Sequence, residues 1–125
     1  MNLIKLGGSV ITQKSKKQHF NQHIMDQLAT EIQKANTPLI LIHGAGSFGH
    51  ITAQEYALND GFKTLSQLKG FAITHATVQQ LNSYVLASLH EHNIPAVSLP
   101  PHAILQLDNH QLSNIQYSLF QDYML

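Results

Sequence analysis

Two glycine-rich turns carry the residues of this chain best suited to chemistry: Lys5-Leu6-Gly7-Gly8-Ser9 and His43-Gly44-Ala45-Gly46-Ser47-Phe48-Gly49-His50. Glycines at a strand's end let bare backbone N–H groups approach an anion, and a lysine or histidine beside them adds charge or a directional donor. One such turn is a weak signal, but two that each follow an apolar run read together as a phosphate site. Lys5 would reach the anion from its strand and Lys14 from the loop that follows. His50, in the first turn of the next helix, could donate to an acceptor phosphate. Such an arrangement suits phosphoryl transfer, in which positioning and charge neutralisation supply most of the catalysis.

The second turn also satisfies G-x-G-x-x-G, the pattern of dinucleotide sites. That reading needs a second strand after the helix, with an acidic residue about 20 positions past the glycines, whereas residues 62–72 read as a loop entering a helix. It also leaves the first turn unexplained. No G-x-x-x-x-G-K-[ST] occurs, which excludes a Walker A loop. The structural alternatives are tight turns for the glycines, a solvated loop for Lys14, Lys16 and Lys17, and a cap or packing role for His50. His43 reads as a hydrogen-bonding residue at a strand end. His19 and His23 are four apart, but His19 precedes the helix and no third ligand accompanies them, so no metal site is expected.

Around the turns, Asn2 to Leu6 is an apolar run stopped by Gly7-Gly8, with Val10-Ile11 leading into a basic polar loop. Ile24, Leu28, Ile32 and Ala35 recur at helical spacing after Asn21, a candidate N-cap flanked by Phe20 and Met25 as a hydrophobic staple. Leu39 to Ile42 is a continuous apolar run, the pattern of a parallel strand covered on both faces. A short helix is predicted from Ile51 to Leu58 and a long one from Ser66 to His92, whose inward face would carry Leu68, Phe71, His75, Val78, Val85 and Leu89. Ala96 to Leu99 reads as a third strand, parallel to the first two. A hairpin of Ile104 to Leu107 with Gln111 to Ile115 and a short helix from Tyr117 to the end complete the chain.

The 125 residues, 43% of them hydrophobic, suffice for one domain over residues 1–125 with its own core. Seven lysines, no arginine and seven acidic residues balance, which argues against a nucleic-acid partner. The absence of cysteine excludes disulfides and thiolate chemistry. No apolar run approaches membrane-spanning length and no signal segment opens the chain, so a cytoplasmic protein without membrane attachment is expected.

The residues resemble the isopentenyl phosphate kinase family of the amino acid kinase superfamily. The resemblance runs from Ile4-Lys5-Leu6-Gly7-Gly8-Ser9-Val10-Ile11-Thr12 with Lys14, through the second turn with Ala53 and Tyr56, to Gly61-Phe62-Lys63-Thr64, Lys69-Gly70-Phe71 and Ile94-Pro95-Ala96-Val97-Ser98. It implies a three-layer αβα sandwich with a mainly parallel sheet, amino acid kinase-like but truncated. It also implies ATP, with Mg2+ carried by the nucleotide, as phosphoryl donor. Lys5, Leu6, Gly7, Gly8, Ser9 and Gly46 would contact the ATP phosphates, and Lys5, Lys14 and His50 would be the catalytic set. Ala45 and His50 would bind the acceptor phosphate, and Phe71, Thr74 and Val78 would line the pocket for its five-carbon tail.

Ala45 stands where the family usually has a third glycine, which would strain a glycine-only backbone angle there. Family members continue past this length into a nucleotide-binding half, so the resemblance implies that this chain is the amino-terminal, acceptor-binding part. The expected partners are a small phosphorylated substrate and either a second copy, in a homodimer, or a separate carboxy-terminal half. A related phosphate or phosphonate kinase, such as a fosfomycin kinase, and a non-catalytic remnant that binds anions or self-associates are the alternatives.

Overall fold

The computed structural model describes residues 2–123. Strand β1 (Asn2–Leu6) pairs in parallel with β2 (Leu39–His43), from Asn2 opposite Leu39 to Leu6 opposite His43. The crossover between them is helix α2 (Gln22–Ala35), preceded by a single helical turn, α1 (Gly8–Ile11). After β2 come α3 (Gly46–Glu55), a 3-10 turn at Leu58–Asp60 and the long α4 (Leu65–Glu91). The chain closes with α5 (Pro101–Ile104), the antiparallel hairpin β3 (Leu105–Asp108) and β4 (Gln111–Ile115), and α6 (Ser118–Asp122). The fold is α/β with a parallel sheet, as expected, and both glycine turns leave the same end of it.

Leu6 and Leu41 point to one face of the sheet, where α2 and α4 close a core of Ile11, Met25, Ala29, Phe48, Leu81, Val85 and Leu89. Phe20 packs against that core as the staple requires, and α2 ends at Asn36 in the left-handed region, φ 45°. Asn21 sits at the N-cap, yet its side-chain amide donates to Val10 O at 3.0 Å and so ties α2 to α1 instead of capping it. Residues on the other face are open, with Leu3 65% and Ile42 45% exposed. The expectation that Leu39 to Ile42 is covered on both faces therefore holds on one face only.

The third strand is a correction. Residues 96–99 form no ladder. Pro95 and Pro100 bracket them and lack N–H donors, while side chains take up their polar groups: His90 Nε2 donates to Ala96 O at 2.8 Å and Asn82 Nδ2 to Ser98 Oγ at 2.9 Å. The hairpin forms, with Asn109 and His110 both at positive φ in its turn. The last two positions of the helix expected from Tyr117 to the end, residues 124 and 125, lie outside the described residues.

Two helices also differ in detail. The α3 helix begins at Gly46, five residues before the expected Ile51, because the second glycine turn is itself the first helical turn. In α4 the inward face near its start is Gln67 and Gly70, whereas Leu68 and Phe71 are exposed. Gln67 explains the rotation. Its side-chain oxygen accepts from Lys63 N at 2.7 Å and Thr64 N at 3.0 Å, while its nitrogen donates to Ala57 O and Gly61 O, each at 2.9 Å. One turn later Gly70 lies against the Tyr56 ring, and a methyl group there would sit 2.7 Å from Tyr56 Cδ1.

Gly70→Ala is therefore expected to lower stability. Overpacking costs about 1–3 kcal/mol, against a helix-propensity gain of about 1 kcal/mol. Urea unfolding followed by circular dichroism checks this, and a raised midpoint would contradict the contact.

Candidate functional site

The two turns meet backbone to backbone. A Cβ on Gly8 would lie 2.7 Å from Gly46 Cα, and one on Gly44 would lie 2.8 Å from Gly8 N. Glycine at these positions is what permits the approach. The Gly44 N–H donates to Leu6 O at 3.1 Å, extending the pairing of β1 and β2 by one step. Gly46 has φ +50°, and Ala45 before it is in the right-handed helical region at φ −73°, ψ −26°. Right-handed backbone followed by positive φ is the order of an anion-binding nest. The strain expected at Ala45 is therefore absent, because the glycine-only angle falls on Gly46 instead.

Among the described residues, the N–H groups of Gly8, Ser9, Ala45 and Gly46 donate to no backbone carbonyl. Gly46 is itself buried, and a buried amide without an acceptor is costly. These four donors sit on both turns at the sheet end, where open α/β sheets bind ligands. The Gly46 amide also opens α3, whose dipole favours negative charge at that end.

Gly7 precedes α1 at φ −61°, an angle open to any residue. Leu6 is buried in the core, so only its backbone belongs to the turn. Lys5 is exposed on the sheet's open face and Lys14 is exposed in the basic loop; neither pairs with a carboxylate among the described residues. Lys17 does, to Glu55 at 2.8 Å, an exposed pair that contributes no more than about 1 kcal/mol. Lys16 is solvated. His50 lies in the second turn of α3, slightly later than expected, is exposed and makes no side-chain hydrogen bond among the described residues, so it caps nothing. His43 acts at the strand end as read, its Nε2 donating to Asn82 Oδ1 at 3.1 Å.

Ala45, Thr74 and Val78 come together around Gly49, where a Cβ would meet Ala45 Cβ at 2.6 Å, Val78 Cγ2 at 3.2 Å and Thr74 Cγ2 at 4.0 Å. Thr74 Oγ1 is buried there without a hydrogen-bond partner among the described residues. Phe71, one turn away on α4, is 61% exposed and stacks on His75 with ring centroids 6.1 Å apart. The two turns and the Ala45, Thr74 and Val78 cluster thus share the start of α3, while Phe71 stands at its margin. Thr77, missed in the sequence, clamps the same helix pair, its Oγ1 lying 2.5 Å from Phe48 O.

Residues 1–124 match the amino acid kinase family. The isopentenyl phosphate kinase of Methanothermobacter thermautotrophicus is 38% identical over 99% of this chain and 49% of its own length, and that of Methanocaldococcus jannaschii is 31% identical over 81% and 43%. Among solved structures, one described as isopentenyl phosphate kinase superposes with a TM-score of 0.90 at 37% identity, over 99% of this chain and 53% of that one. The Thermoplasma acidophilum isopentenyl phosphate kinase product complex gives 0.87 at 29% identity, over 99% and 50%. The chain spans about half the length of the relatives it matches.

Gly46→Ala tests the contact between the turns. Its methyl group would meet Gly8 O at 2.6 Å and crowd Thr12, at a positive φ that adds about 1–2 kcal/mol. Together with overpacking, the expected loss is about 3 kcal/mol in urea unfolding. A wild-type midpoint would show that the turns do not need this approach.

Proposed function

The chain belongs to the amino acid kinase family, and from that premise we propose that its paired turns hold two phosphate groups, one from ATP and one from isopentenyl phosphate, for transfer between them. The observation that carries the reading is the set of four amides at the joined turns, two on each, that donate to no backbone carbonyl among the described residues. The relatives' names supply the acceptor, isopentenyl phosphate, and favour it over fosfomycin or another phosphonate. The product would be isopentenyl diphosphate.

In this reading Lys5 and the Gly7, Gly8 and Ser9 backbone hold the donor phosphates, joined by the Gly46 amide, while the Ala45 amide and His50 hold the acceptor phosphate. The nucleophile is an oxygen of a phosphate monoester, already anionic at neutral pH, so no general base is required. The main barrier is repulsion between two anions, which oriented amides and the Lys5 and Lys14 ammonium groups offset. Mg2+ would come with the nucleotide and would supply further neutralisation of phosphate charge. The apolar cluster of Val78, Thr74 and the neighbouring Phe71 receives the five-carbon tail. Adenosine would bind to the half of the relatives that this chain does not span. A cytoplasmic enzyme, acting as a homodimer or with that other half, completes the reading.

His50 gives the test. Because its imidazole is exposed and bonds to nothing among the described residues, His50→Ala should leave helicity intact. The variant should bind isopentenyl phosphate more weakly by about 1.5–3 kcal/mol, the range for a hydrogen bond to a charged group. Calorimetric titration of both proteins measures it, and equal affinities would remove His50 from the site.

A further inference from the structure

Thr12 follows the first turn and is 1% exposed. Its hydroxyl donates to Gly8 O at 2.6 Å and accepts from the Ser47 N–H at 3.0 Å, so one side chain spans both turns. Ser47 is buried as well and reaches a third segment: its carbonyl accepts from Gln18 N at 3.2 Å and its Oγ from His19 N at 3.3 Å. Gln18 and His19 close the basic loop that carries Lys14. Gln13 N returns to His19 O at 2.9 Å, and Thr12 bridges Phe20 across the base of that loop. The first turn, the loop that follows it and the second turn, 28 to 35 residues further along the chain, therefore meet at two hydroxyl groups.

We propose that Thr12, acting through Ser47, is a positioning residue that fixes the separation between the two glycine turns and the Lys14 loop. The inference rests on the phosphotransfer reading above. Phosphoryl transfer depends on the geometry of donors around the transferred group, so a small displacement of one turn relative to the other weakens the site even in a folded protein. Only a hydroxyl serves here, because it must donate to one turn while accepting from the other. Valine matches threonine in shape but leaves the Ser47 amide buried and unpaired. A latch that served folding alone would lower stability without altering the affinity of the molecules that remain folded.

The test compares Thr12→Val with Thr12→Ser, using inorganic pyrophosphate as probe in calorimetry and amide hydrogen exchange at Ser47 as the direct readout. At a temperature where circular dichroism shows full helicity, Thr12→Val should bind pyrophosphate about tenfold more weakly and exchange Ser47 about tenfold faster, as loss of one buried hydrogen bond implies. Thr12→Ser should restore both. Retained affinity and slow Ser47 exchange in folded Thr12→Val would overturn the proposal. If Thr12→Val does not fold, Thr12→Ala decides: it removes the same two hydroxyl bonds with a smaller side chain, weakened pyrophosphate binding by the folded variant supports the proposal, and unchanged binding overturns it. A wild-type chain that does not bind pyrophosphate sinks the phosphotransfer reading and the positioning role with it, whereas slow exchange in Thr12→Val sinks the joint alone.

Discussion

The site depends on the close approach of Gly8 to Gly46, a contact that no side chain can enter. Parallel pairing of β1 and β2 in the register that sets Leu6 opposite His43 brings the two strand ends level. The chain must then leave both ends at once, and only residues without a Cβ can turn away at that distance. Gly46 at positive φ aims the chain into α3, and Thr12 fills the space behind it. The same geometry leaves amides on both turns that donate to no backbone carbonyl among the described residues, and an anion would satisfy them.

Packing supports this contact from one side. The α2 and α4 helices cover the face of the sheet that holds Leu6 and Leu41, and Phe48 drives α3 into the same core. Gly49 and Gly70 let α4 approach α3 and Tyr56 closely, which places Thr74 and Val78 beside Ala45. The start of α3 is thus held by the sheet, by α4 and by the basic loop, a rigidity that suits oriented amides. Leu3, Ile42, Leu68 and Phe71, by contrast, are exposed apolar groups on surfaces that this core does not reach.

Much of this was legible in the sequence, for physical reasons. The unbroken apolar run Leu39 to Ile42 and the 3.6-residue repeat of α2 mark a strand and a helix locally, the glycines at both strand ends permit turns that other residues cannot make, and together they fix the βαβ unit and its turns. What escaped depends on contacts distant along the chain. Nothing local distinguishes Thr12 from any polar residue after a turn, although its spacing of four from Gly8 permits the back-bond it makes. The outward rotation of Leu68 and Phe71 follows from Gln67 and Tyr56. Of that, Thr64 with Gln67 was readable as a capping pattern, whereas the fit of Tyr56 to Gly70 was not. Ala96 to Leu99 has strand composition, but flanking prolines and competing side-chain bonds outweighed it.

The central claim is that the two turns form one anion site rather than two unrelated bends. Titration of the 15N-labelled chain with inorganic pyrophosphate, followed by amide chemical shifts, tests it most directly. The account predicts that Gly8 and Ser9 on one turn and Ala45 and Gly46 on the other shift together along a single saturable curve. Shifts confined to one turn, separate curves for the two, or no response at these four amides would contradict it.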